Sequence, residues 1–189
     1  MRIVGSFTIV REALYALRYD TENYESEEES EFTRLFNTWD DANYLDDFFQ
    51  ENIDDLNTPI WGGVSIDEAI AVTIKQAREL ERKMYKVAKD GKMDHANNLS
   101  GFFQPLTNAS FQKFEKNKAY GLAHRSWLRI YALRIQPNLF VVTGGGIKLT
   151  RRMDECEHLR RELAKLEQAK KLFVNDDLDS FELIENLTL

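Results

Sequence analysis

A chain of 189 residues with 43% apolar and 12% aromatic content can bury the core of one domain, which excludes a globally disordered protein. Its one cysteine, Cys156, excludes a disulfide framework and a multi-cysteine zinc site and points to a reducing compartment. The net charge of −7 is unevenly spread: residues 1–60 carry 4 Lys/Arg against 15 Asp/Glu, a balance of −11, and residues 111–171 carry 14 against 6, a balance of +8. Such an asymmetry suits a surface that meets a polyanion, or two halves that attract each other in the fold.

The opening residues lack a secretory pattern, because Ile3 to Val10 is short, is broken by Ser6 and Thr8, and is followed at once by Arg11 and Glu12. No run approaches the roughly 20 apolar residues of a membrane span, so a soluble, cytoplasmic protein without a membrane partner is expected. Arg2 to Val10 and Leu14 to Tyr19 alternate well enough for strands, with a short helix over residues 9–18 as the competitor. Asp20 to Ser30 is a glutamate-rich run expected to be an exposed loop. From Glu31 the period becomes helical. Leu35, Phe36 and Trp39 share a face, and beyond a possible cap at Asp40 or Asp41 so do Tyr44, Leu45, Phe48, Phe49, Ile53 and Leu56.

Pro59 and Gly62-Gly63 mark a turn, after which Ser65-Ile66-Asp67-Glu68 spells a capping box. It opens an amphipathic helix to about Lys89, closed by Asp90-Gly91, so residues 31–90 are expected as an enlarged helical hairpin. The sheet core is expected over residues 106–173 together with a last helix. Trp127 to Ile135 and Leu139 to Thr143 flank the turn Gln136-Pro137-Asn138, and Ile147 to Thr150 forms a third run. Along the first of these, Trp127, Arg129, Tyr131 and Leu133 alternate with Leu128, Ile130, Ala132 and Arg134. The face bearing Arg129 and Tyr131 is the candidate for an open, functional one. The last helix, Asp154 to about Phe173, should bury Leu159, Leu163, Leu166, Ala169 and Leu172 and expose Arg160, Arg161, Lys165, Lys170 and Lys171. The tail of residues 174–189 is expected as an edge strand or flap. The fold class expected is α+β, one domain over 1–189.

Gly144-Gly145-Gly146-Ile147-Lys148 invites a phosphate-loop reading and fails it, since Ile147 separates glycine from lysine and no helix follows directly. A bulge or a tight strand bend is the better expectation. His95, His124 and His158 have no metal-ligand spacing, and Cys156 and His158 would diverge on a helix. No metal or cofactor is expected. What remains is a basic and aromatic collection: Lys113, Lys116, Lys118, Tyr120, His124, Arg125, Arg129, Tyr131, Lys148, Arg151 and Arg152. Cations of this kind bind phosphates and aromatics stack unpaired bases. The competing reading is a solvated rim of lysines and arginines around a sheet.

Phe111 to Lys118, Trp127-Leu-Arg129-Ile-Tyr131, Leu139 to Gly146, Ile147-Lys148-Leu-Thr150-Arg151-Arg152 and Glu157 to Phe173, taken together, resemble the RelE/HigB toxin superfamily, in particular its phage-derived HigB-like branch. The resemblance covers about residues 106–173. It implies a small antiparallel sheet with a helical hairpin and a C-terminal helix, and a toxin of a toxin–antitoxin pair. The activity implied is metal-independent cleavage of mRNA, in some members on the ribosome, restrained by a small antitoxin protein. Carried over by position, Arg129, Lys148, Arg151, Arg125 and His124 are the candidate catalytic residues. Lys113, Lys116, Lys118, Tyr131 and Arg152 are the candidate RNA-binding residues. The long hairpin, the acidic first half and the tail depart from the family pattern, and the C-terminal acid/base residue of some members has no counterpart. A non-catalytic protein-interaction module on the same fold is therefore the alternative expectation.

Overall fold

The computed structural model describes residues 2–20, 29–92, 97–106, 114–123, 125–150 and 156–175, together with Ile184. In chain order the elements are β1 (Arg2–Val10), β2 (Leu14–Asp20), α1 (Glu31–Asp40), α2 (Ala42–Glu51), α3 (Ile53–Leu56), α4 (Ile66–Asp90), α5 (Leu99–Phe102), β3 (Gln104–Pro105), β4 (Glu115–Tyr120), β5 (Leu128–Gln136), β6 (Leu139–Ile147) and α6 (Glu157–Asn175). The class is α+β, and the two leading segments are strands, not a helix over 9–18.

The sheet has six strands in the order β1-β2-β6-β5-β4-β3. It is mixed, where a small antiparallel sheet was expected: β2 runs parallel to β6 through Leu14↔Phe140, Tyr15↔Val141 and Ala16↔Val142, while the other pairs are antiparallel. The leading hairpin is thereby joined to the β6 edge of the later sheet, a non-local pairing that strand periodicity cannot reveal.

Caps chosen by the sequence set the helix starts. Ser30 caps α1 and Asp41 caps α2, each side chain accepting amides of the first turn, and Ser65 with Glu68 completes the capping box of α4. The segment 31–56 is consequently three helices, not one. Phe32, Leu35, Phe36 and Trp39 of α1, Leu45, Phe48 and Phe49 of α2 and Leu80, Met84 and Val87 of α4 pack on Leu128, Ile130, Ala132, Phe140 and Val142. On the opposite face, Leu166, Ala169 and Phe173 of α6 pack with Tyr15, Leu17, Tyr131, Leu133, Ile135 and Val141, and Ile184 joins them.

Both faces of the sheet are therefore covered. The expectation of an open face carrying Trp127, Arg129 and Tyr131 is corrected. Trp127 precedes β5 and packs among the α4-side helices, donating its indole N–H to Thr73 at 2.9 Å. Tyr131 is fully buried against α6. Large apolar area on both sides of β5 drove helices onto both.

The glycine triplet is strand geometry, as expected, but it lies within β6, and Ile147–Thr150 is not a separate strand. The register slips between Tyr131↔Gly144 and Ala132↔Val142, a bulge that leaves Thr143 without a cross-strand partner. A Cβ on Gly144 would stand 1.9 Å from Glu162 Oε2, and one on Gly145 would stand 2.4 Å from the Arg129 carbonyl. These glycines admit neighbouring protein atoms, not a phosphate.

Candidate functional site: an arginine groove and an ionic crevice

The turn before α4 and the segment between β4 and β5 meet at one end of the sheet. Gly62 and Gly63 both have φ of 75°, a conformation that glycine adopts without strain. Trp61 is pinned there, its indole N–H donating to the Leu149 carbonyl at 2.9 Å and its ring meeting Trp127 edge-on at 5.2 Å. The cleft left between the two segments has a volume of about 450 Å³ and is lined by Pro59, Ile60, Trp61, Tyr120, Ala123, Arg125, Ser126 and Arg129.

Arg129 is the centre of this groove. Its guanidinium lies 4.2 Å from the centre of the Tyr120 ring, and Nη1 donates to the carbonyls of Ser126 and Leu128, each at 2.7 Å. Burial is the main reason that it holds its proton less tightly than an ordinary arginine. Arg125 is exposed and donates to the Ile60 carbonyl at 3.3 Å. Lys118 approaches the same Tyr120 ring, at 5.6 Å. Two guanidiniums and two aromatic rings thus share one opening, which Lys118 does not line.

The other candidates are not gathered there. Lys116, on the same face as Lys118, pairs with Glu167 of α6. Lys148 is half-buried just beyond β6, where its amide donates to the Trp127 carbonyl at 2.7 Å. Tyr131 has no surface with which to stack a base, and burial raises its phenol well above the usual tyrosine range. Lys113, His124, Arg151 and Arg152 lie outside the described residues.

A second site was missed by the sequence reading. After Ala16↔Val142 the parallel strands β2 and β6 diverge, and the helices that follow them, α1 and α6, take opposite faces. Backbone groups of β6 freed by the split find side chains instead: Gly145 N–H donates to Glu162 Oε2 at 2.9 Å, and the Tyr19 hydroxyl donates to the Thr143 carbonyl at 3.2 Å. Lys165 Nζ is 2.9 Å from both Glu31 Oε2 and Glu162 Oε1. Arg34 grips Glu31 through Nε at 3.1 Å and Nη2 at 2.8 Å. This quartet of two carboxylates and two cations is nearly buried, and its Lys165 side chain is only 8% exposed, where an exposed lysine was expected.

Burial raises Glu162 above the usual carboxylate range, partly opposed by Lys165. Burial also raises Tyr19, helped by the charges of Glu31 and Glu162. His158 lies beside the crevice with its ring edge-on to Phe48 at 5.4 Å, and its Nε2 is 2.8 Å from the Ile147 carbonyl. A carbonyl only accepts, so Nε2 carries a hydrogen there. The available signal for the crevice was the repeated spacing of opposite charges three apart, Glu31 with Arg34 and Glu162 with Lys165. That spacing is also the pattern of an ordinary solvated helix face.

No protein-family description matches this chain, and comparison with curated proteins and with solved structures also finds no match.

Proposed function

We propose that this chain is a RelE/HigB-type toxin, a metal-independent mRNA endonuclease whose substrate strand enters the arginine groove. The observation that supports it is the convergence of Arg125 and Arg129, both nominated from the sequence, with Tyr120 and Trp61 in one cleft. Cleavage through the 2′-hydroxyl builds negative charge on the phosphate, and fixed guanidiniums at that position lower the barrier. Tyr120 holds Arg129 from behind by its ring face, so the fork loses little freedom when an anion binds. Trp61, half-buried at the rim, adds an aromatic edge against which an unpaired base can pack. The expected partners are mRNA, on or off the ribosome, and a small antitoxin protein.

Expression of the chain alone in a bacterial host should arrest growth and shorten mRNA, and Arg129→Ala with Arg125→Ala should relieve both effects. Normal growth with intact mRNA at high expression would sink the endonuclease reading. The alternative, a non-catalytic interaction module, is favoured by one feature: α6 covers the face on which Tyr131 would have to act. A stably co-purifying protein with no RNA cleavage would select it.

A further inference from the structure

The crevice between α1 and α6 has the properties of a ligand pocket and no part in the endonuclease reading. It lies beyond the carboxyl ends of two parallel strands whose following helices leave to opposite faces. In open α/β sheets this is where ligands enter, because the diverging connections leave a gap that no side chain of the sheet fills. Its volume of about 520 Å³ falls within the range of small-molecule sites.

Its chemistry narrows the ligand. The lining pairs three carboxylates, Glu29, Glu31 and Glu162, with three cations, Arg34, Arg161 and Lys165. Net charge therefore attracts neither an anion nor a cation. Lys165 Nζ, 2.9 Å from each of two carboxylates, also occupies the position that a bridging metal ion would need. One wall is aromatic: the Tyr44 and Phe48 rings lie 6.3 Å apart and 23° from parallel, and His158 stands edge-on to Phe48. Tyr44 is 44% exposed, so ring surface is left for a further aromatic group. At the floor, Glu31 is taken up by the Arg34 fork and Lys165. Glu162 takes one donor on each oxygen, Gly145 N–H on Oε2 and Lys165 on Oε1, and an ionised carboxylate offers about four acceptor positions.

A neutral, flat ring that stacks on one side and donates from its edge satisfies all of these conditions. We propose that the crevice binds a purine base with adjacent N–H and amino donors, guanine in chemistry, presented as a free nucleoside. The ring lies against Tyr44 and Phe48, and the two parallel donors address a carboxylate at the floor, as an arginine fork does.

The test is a nucleoside titration of the full chain, followed through the amide signals of Gly145 and Gly146, which line the crevice. Guanosine should shift both saturably, and inosine, which lacks the amino group, should bind roughly tenfold more weakly. Tyr44→Ala and Glu162→Gln should each weaken guanosine by about tenfold, whereas Arg125→Ala in the separate groove should leave it unchanged. If Glu162→Gln fails to fold, the exposed Tyr44→Ala decides alone. The proposal is overturned if guanosine gives no saturable shift at about 5 mM, or if Tyr44→Ala binds it as well as the parent chain. Tighter binding of adenosine or inosine would overturn the donor-edge assignment. A guanine-containing oligonucleotide that shifts these amides when guanosine does not would overturn the free nucleoside in favour of a base within RNA.

Discussion

The groove and the crevice sit at the same end of one sheet and handle charge in opposite ways. In the groove, Arg125 and Arg129 meet carbonyl oxygens and an aromatic ring, and no carboxylate among the described residues pairs with them. Their positive charge is available to an anion. In the crevice each cation has a carboxylate partner at 2.9 Å or closer, and the charge is spent within the protein. Basic residues count equally in a composition, but only the first kind builds a field outside the molecule.

Breaking the crevice should have the largest effect. Lys165→Met leaves Glu31 and Glu162 facing each other in a buried site, and a broken buried pair costs about 3–5 kcal/mol. A urea midpoint that moved by less than about 1 kcal/mol in free energy would mean that water screens the quartet. Next in size is Gly145→Ala, whose new methyl would meet the Arg129 carbonyl and the Leu35 side chain. Overpacking of this kind costs about 1–3 kcal/mol, and thermal unfolding would show it.

The pH dependence separates the two regions further. Glu162 has a folded-state pKa raised by burial, so its favourable contribution is complete below the ordinary carboxylate range and is lost as pH rises through the raised value. Stability should decline over that window, and Glu162→Gln, which keeps an acceptor for Gly145 N–H, should flatten the decline. Equal slopes for parent and variant in urea unfolding from about pH 4 to about pH 8 would contradict the assignment.

The smallest stability effects belong to the groove. Arg125→Ala is expected to change folding by no more than about 0.5 kcal/mol. On single-stranded RNA the same variant should reduce the salt slope of log K by about 0.7, the value of one phosphate contact. An unchanged slope would place Arg125 outside the RNA path.

The local features were legible because they depend on neighbours in the chain. Ser65 and Glu68 are three residues apart, and their reciprocal bonds form as the sequence suggested. Asp41 as a cap, the β5–β6 hairpin and the bulge at the glycine triplet belong to the same class. Arg125 and Arg129 were nominated by their charge and by the family resemblance, and four residues of separation kept them together at the start of β5.

What escaped were features made by distant segments. Tyr131 looked like a face residue, and its burial depended on α6 returning over the strand. Lys165 looked solvent-facing on a helical wheel, and its burial depended on Glu31, 134 residues away. Tyr19 and Gly145 acquired meaning only when β2 paired in parallel with β6 and then left it.

By itself, then, the sequence determined β1, β2 and the β5–β6 hairpin, the caps at Asp41 and Ser65, the turn glycines and an uneven charge distribution, since each rests on backbone preference or on side chains within a few residues. The tertiary structure alone decided which cations face outward and which are neutralised. Whether a lysine binds a ligand or a buried glutamate is set by what packs beside it, and that depends on the closure of a mixed sheet between two layers of helices.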